Sequence, residues 1–418
     1  MSDNTNSQIQ PGTFMAGSAK GDITPPKSML PMPFFLILKF RRILYHVYAR
    51  VLALSDGGQE YLFITLDMMG VPEAEKTLAF VSKETGIPEK NIFIAATHTH
   101  GVTPLFQAHN KKQEKWYEII KTTLLSTIAE ARSKMVPARY GYGEGQSYIN
   151  VNRDLDGEKS VLGSNYDRPS DHTIRMVRIE DLNGKVIAFV INHATHSVIT
   201  NGAITRLGAT WTGDLAGITS VKIEDAVEGA VALWTMGAAG DQNPRIMAQF
   251  GLQIAEERKA PKNLGKVAFA MLEYVSEEHV RDIMAANRNI ESDQTSPAIY
   301  TAERIVPVPT KTGDEDIAYK LRLFTLGDIA IQGISAEIVT SIGKAVTETS
   351  PYRNTMLVTV ANGYNGYVAD KWEHEHEAFE VGSSRTVEGE AQKAFVNTFT
   401  EMFHAHREKP LSDNMLED

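Results

Sequence analysis

The chain has 418 residues, 42% hydrophobic and 22% charged, a composition that can bury a large core and excludes a disordered polymer. A formal net charge of -10, from 52 acidic against 42 basic residues, argues against a nucleic-acid partner, whose phosphates need a concentrated basic surface. There is no cysteine, so disulfides and thiolate metal sites are excluded and any metal must be held by histidine or oxygen ligands.

Residues 1–13 read as a polar tail without the basic and apolar regions of a signal peptide, so a cytoplasmic protein is expected, with a secreted mature form left open. Gly21-Asp22-Ile23-Thr24-Pro25-Pro26 reads as an ordered turn leading into the domain. The most apolar segment, Met29 to Leu44, is interrupted by Pro31, Pro33, Lys39, Arg41 and Arg42, too short and broken to span a bilayer. Its first part, Met29 to Leu38, reads as a loop packed on the core or as a lipid-contacting lid. Val47 to Leu54 and Tyr61 to Leu66 are predicted strands joined through Ser55-Asp56-Gly57-Gly58. A helix over Pro72 to Thr85 and a buried strand over Asn91 to Thr97 complete a βαβ unit. That last strand runs into His98 and His100, which alternation along an extended backbone would turn to the same side.

A second helix, Gln113 to Arg132, has Trp116, Ile119, Ile120, Leu124 and Ile128 at helical spacing. Gly141 to Pro169 is turn-rich and reads as a functional or insertion loop carrying Asn150-Val151-Asn152-Arg153-Asp154. A hairpin over Thr173 to Glu180 and Lys185 to Ile191 leads to His193 and His196. Next come a helix over Gly213 to Glu228 and a strand over Val231 to Met236 that opens into Gly240, Asp241 and Asn243. A long helix over Asn263 to Ala285 and strands over Tyr300 to Val308, Lys320 to Thr325 and Ile329 to Ile334 follow. The last of these delivers Glu337 to the head of a helix over Ile338 to Glu348, and a strand over Thr355 to Ala361 delivers Tyr367. A helix over Glu388 to His404 precedes an acidic tail at 409–418. The expected fold is α/β, a mixed sheet flanked by helices in a single domain over 14–408, with its site at the carboxyl ends of strands.

Five strand ends therefore carry polar clusters: His98 with His100, His196, Asp241 with Asn243, Glu337, and Tyr367. Singly, each has a plain structural reading. His193 or His196 could be a core histidine bonded to a carbonyl, Glu337 a helix cap and Tyr367 an interface aromatic. Together, two histidines and a glutamate are a ligand set of catalytic zinc sites that keep an open position. No HExxH helix is present, so such a site would be assembled from distant loops.

Gly-Asp-Ile-Thr-Pro-Pro at 21–26, Thr-His-Thr-His at 97–100, Asn152-Arg153, His196, Gly240-Asp241 and Asn-Gly-Tyr-Asn-Gly-Tyr at 362–367 occur in an order that resembles the catalytic domain of the neutral/alkaline, non-lysosomal ceramidase family. The resemblance covers roughly residues 14 to 385. It implies a zinc-dependent amidase with one zinc ion per chain, held by His98, His196, Glu337 and Tyr367, while His100 and Arg153 contact the substrate. Three positions depart from the family: Asn243 stands where a serine nucleophile is assigned, Phe379 replaces a tyrosine near the substrate, and no C-terminal immunoglobulin-like domain follows. The expected substrate is a small molecule with an acyl-amide group other than ceramide itself.

Without the serine, water activated by the ion would attack directly. Asp241 or His100 would take its proton, and Asn243 or the Gly240 backbone would donate to the oxyanion. Arg153 suits a substrate carboxylate, or else forms a loop salt bridge. Trp372-Glu373-His374-Glu375-His376-Glu377 reads as a second metal site or, as its alternating charge also fits, a solvated face or specificity loop. Two other functions stay open: a metal-dependent esterase or lactonase on a small polar substrate, and a catalytically lapsed zinc-binding relative. A homo-oligomer is also left open.

Overall fold

Alternation along strand Ile92–Ala96 sends Ile92, Ile94 and Ala96 into one apolar cluster and Phe93 and Ala95 into another. Neither face is wet, which is why the segment reads as an unbroken apolar run. The computed structural model describes residues 13–34, 38–201, 203, 208–250, 262–295 and 298–407. All but residue 13 of the expected N-terminal tail, and all of the expected acidic tail, lie outside them.

The strand is one edge of an eight-stranded sheet. From the opposite edge its order is Val231–Met236, Val186–His193, Thr173–Asp181, Val136–Gln146, Met15–Asp22, Tyr48–Ser55, Glu60–Leu66 and Ile92–Ala96. The terminal pairs at both edges are parallel and the inner ones antiparallel, so the sheet is mixed as expected. Helices Lys111–Ser133, Asp214–Ala226 and Val267–Asn287 cover one face, burying Trp116, Ile120, Leu124, Ile223 and Ile283 with the first cluster.

The other face packs on a second sheet, Ile299–Val308, Ile317–Leu326, Ile329–Ile334 and Asn354–Thr359 in that order. Between the sheets Phe63 stacks on Phe93 at 4.7 Å and Phe324 meets both edge-on. Helices Thr340–Thr347 and Glu390–Arg407 close the far side over Tyr319, Leu321, Phe395 and Phe399. The expected α/β architecture of mixed sheet flanked by helices is realised as two sheets face to face with helices outside. Past their carboxyl ends they are stitched together, Ala96 N–H donating to Val360 O and Asn362 N–H to Ile94 O at 3.2 and 2.7 Å.

Three expectations are corrected. Gly21 and Asp22 end strand Met15–Asp22 rather than forming a turn. Gly141 to Pro169 is no loop but contains strands Val136–Gln146, Asn150–Leu155 and Val161–Asn165. Gly141, Gly143 and Gly145 look like turn residues, yet their missing side chains admit the end of helix Val267–Asn287: a Cβ would lie 2.1 Å from Glu291 O, 2.6 Å from Ile290 and 2.7 Å from Ala286. Glu337 does not head a helix. It pairs with Tyr367 in a two-residue parallel ladder, and the helix starts at Thr340. Among the described residues no helix is long and apolar enough to cross a membrane.

Candidate metal centre

His98 follows its strand with φ 56°, so the backbone here is left-handed rather than extended and simple alternation does not apply. The path is fixed by Thr97 and Thr99 donating to Leu66 O and Met68 O, after which His100 N–H reaches Ser197 O at 3.1 Å. The two histidines still converge, their Nε2 atoms 3.2 Å apart.

Nδ1 of His98 lies 2.6 Å from Met69 O, and Nδ1 of His196 lies 3.1 Å from Gln242 O. A carbonyl only accepts, so each Nδ1 is the donor and each Nε2 faces inward. Both Nε2 atoms meet the same carboxylate oxygen: Glu337 Oε2 is 3.0 Å from His98 Nε2 and 2.9 Å from His196 Nε2. Tyr367 Oη is 3.1 Å from His196 Nε2. Around a zinc ion with bonds of about 2.0–2.2 Å, donor atoms are spaced by roughly 3.3–3.5 Å, so this set needs little adjustment to fit one. His100 is close enough to count as a fifth donor, since its ring, with those of His98 and His196, offers ligand atoms within 4.8 Å of one another.

The electrostatics agree with a cation-receiving cluster. Burial, with Arg153 nearby, pushes His196 down to about 4, and burial and the other imidazoles hold His100 well below its usual value. Burial works to raise Glu337, but the imidazoles outweigh it and keep the carboxylate ionised. Burial and Glu337 push the Tyr367 phenol up, against the pull of Arg153.

The remaining expected residues divide. Arg153 places Nε and Nη2 on Glu380 Oε1 at 2.7 and 2.6 Å, and its Nη1 donates to Asn243 Oδ1 at 3.3 Å. Its guanidinium also lies over the rings of Tyr367 and Phe379 at 5.5 and 5.1 Å. The salt bridge expected as one reading of Arg153 is present, made to Glu380. Phe379 is exposed and meets Tyr367 edge-on. Asp241 is committed elsewhere: Oδ1 accepts from Thr340 N–H and Oγ1 at 2.9 and 2.8 Å and Oδ2 from Asn152 at 2.8 Å. Gly240 N–H donates to Ile338 O at 2.8 Å, which removes it as an oxyanion donor. His193 is a core histidine, its Nε2 3.1 Å from Ser147 O.

Sequence reasoning assigned no role to Tyr364, whose hydroxyl donates to Glu337 Oε1 at 2.7 Å; its place in the Asn362 to Tyr367 motif was the available signal. It also missed Glu380, which no pattern distinguishes from its acidic neighbours. A cleft of about 620 Å³ is lined by Tyr364, Phe106, His109 and Lys320 but by none of the four donors. Phe34, Phe40, Ala203 and Ala209 instead wall a narrow recess at His100.

Two packed sheets with a buried two-histidine, glutamate and tyrosine cluster at their carboxyl ends define an α/β protein with a metal-centre-like donor set. No protein-family profile matches the chain. Neutral ceramidase from Pseudomonas aeruginosa is 25% identical over 255 residues, which is 56% of this chain and 37% of that protein's length. The crystal structure of that neutral ceramidase superposes with a TM-score of 0.76 at 18% identity, covering 96% of this chain and 75% of the other. A ceramidase complexed with C2 gives 0.72 at 17% identity, covering 97% and 77%. The chain has the fold of neutral ceramidase and is similar to it in sequence over those 255 residues.

Proposed function

We propose that the chain is a zinc-dependent hydrolase that cleaves an amide bond, with one ion per chain held by His98, His196, Glu337 and Tyr367 and residues 14–408 acting as one catalytic unit. The observation that carries this reading is that the Nε2 atoms of His98 and His196 converge on one buried carboxylate oxygen at 3.0 and 2.9 Å, close to the spacing of donor atoms around a tetrahedral ion. The likeness to neutral ceramidase supports the reaction class.

A zinc ion bound here would polarise the substrate carbonyl and lower the pKa of water to about 7. His100 is half-buried and neutral, placed to take a proton from the attacking water. Asn243 accepts from Arg153 through its oxygen, which turns its amide N–H groups away from Arg153 as donors for the carbonyl oxygen of the substrate. Asp241 accepts from Thr340 and Asn152 and acts by holding them in place. With Arg153 neutralised by Glu380, the substrate needs no carboxylate.

Elemental analysis should find zinc at one per chain, and chelation should abolish turnover; protein without zinc that ignores chelators would sink the proposal. His98→Ala and His196→Ala should each lose the ion. Matched N-acyl and O-acyl substrates then separate amidase from esterase, hydrolysis of the ester alone overturning the preferred reaction.

A further inference from the structure

We propose that Asp154, Glu373 and Glu380 form a second metal site, one for a hard divalent cation such as Ca2+, Mg2+ or Mn2+. The three carboxylates come from strand Asn150–Leu155, helix Lys371–Glu375 and helix Phe379–Ser383. They offer oxygen atoms within 4.8 Å of one another, and all three residues are 0% exposed.

Their outward oxygens are satisfied. Glu380 Oε1 takes Arg153, and Glu373 Oε2 takes the Asp370 N–H at 3.0 Å in a capping box. Glu380 Oε2, Glu373 Oε1 and both oxygens of Asp154 have no hydrogen-bond partner among the described residues. Asp154 is thus a fully buried carboxylate aimed at two others with neither oxygen paired, an unfavourable state unless a cation or protons fill it. Arg153 offsets one of the three charges; Arg168, stacked on Trp372 at 3.3 Å, adds only its field. Burial and mutual repulsion push both Asp154 and Glu373 upward, as a site waiting for positive charge requires.

An all-oxygen donor set selects hard cations and leaves zinc to the histidines. The acidic tract divides accordingly. Glu375 and Glu377 are exposed, with Glu377 paired to Lys159, and Glu373 alone turns inward. An ion here would clamp strand Asn150–Leu155 to the two short helices and, through Glu380, fix the Arg153 guanidinium over Tyr367 and Phe379.

The test titrates Mn2+ into full-length, zinc-loaded protein and follows free Mn2+ by electron paramagnetic resonance. One Mn2+ per chain should bind beyond the zinc, be displaced by Ca2+ or Mg2+, and be lost in Asp154→Asn and in Glu373→Gln with zinc content unchanged. His98→Ala should lose zinc and keep Mn2+, so the two sites fail separately. Absence of Mn2+ binding to wild-type protein up to about 1 mM, the weak end for protein calcium sites, overturns the proposal whether or not the variants fold. Binding that survives both substitutions overturns it too and leaves a proton-sharing trio.

Discussion

Glu337 is gripped from two sides, one oxygen between the imidazoles of His98 and His196 and the other under the Tyr364 hydroxyl at 2.7 Å. Replacing Tyr364 by phenylalanine tests whether that second grip sets metal affinity. The ring of Tyr364 stacks on Phe106 at 4.3 Å and lies 6.3 Å from the His98 ring, so Tyr364→Phe keeps the packing and deletes one oxygen. Burial and the neighbouring carboxylate hold the phenol above its ordinary range, so it donates throughout the working pH range. A hydrogen bond to a charged group contributes about 1.5–3 kcal/mol. At 1.4 kcal/mol per decade this is roughly a 10–100-fold loss of zinc affinity, the usual cost of removing a partner of a ligating group. Competition against a chromophoric chelator measures the change, and calorimetry of zinc-free protein should show the variant's Tm within a few degrees of wild type. A wild-type zinc Kd in Tyr364→Phe would refute the reasoning.

Arg50 is fully buried between Asp67 at 2.8 Å and Glu224 at 2.6 Å, so Arg50→Ala strands two carboxylates and should cost about 3–5 kcal/mol in denaturant unfolding; a loss below 1 kcal/mol would contradict this. Burial pushes His193 from 6.5 down to about 4, so the unfolded chain takes up a proton in that window while the folded one does not. Stability should therefore drop by about 3 kcal/mol as pH falls through it, and His193→Gln should flatten the slope. Asp241→Asn should keep its zinc and lose about 1–3 kcal/mol of stability, because it mismatches the donors of Thr340 and Asn152. Loss of turnover at unchanged Tm would restore Asp241 as a base.

Strand ends were legible where a strand is long enough to show its period. The apolar run at 92–96 and the hairpin at 173–193 located His98, His100 and His196 correctly. The way these residues meet was not legible. His98 reaches its neighbours through a left-handed backbone held by Leu66 and Met68, partners remote in sequence. Glu337 and Tyr367 face each other in a ladder two residues long, too short for any periodic signal, so Glu337 was read into the following helix. The glycine stripe at 141–145 misled because turn chemistry and close helix approach select the same residue. Glu373 lies in a tract that reads as a second metal site, but nothing there separates it from the solvated Glu375 and Glu377, and Asp154 carries no mark of its own; only burial picks out the two.

His98 and His196 come from loops of the eight-stranded sheet, while Glu337 and Tyr367 follow strands of the second sheet. A chain cut anywhere between His196 and Glu337 therefore holds two of the four proposed donors, however well its first sheet folds. During synthesis the proposed centre cannot assemble until the ribosome has passed Tyr367, so loading of all four donors would report that both sheets have been made.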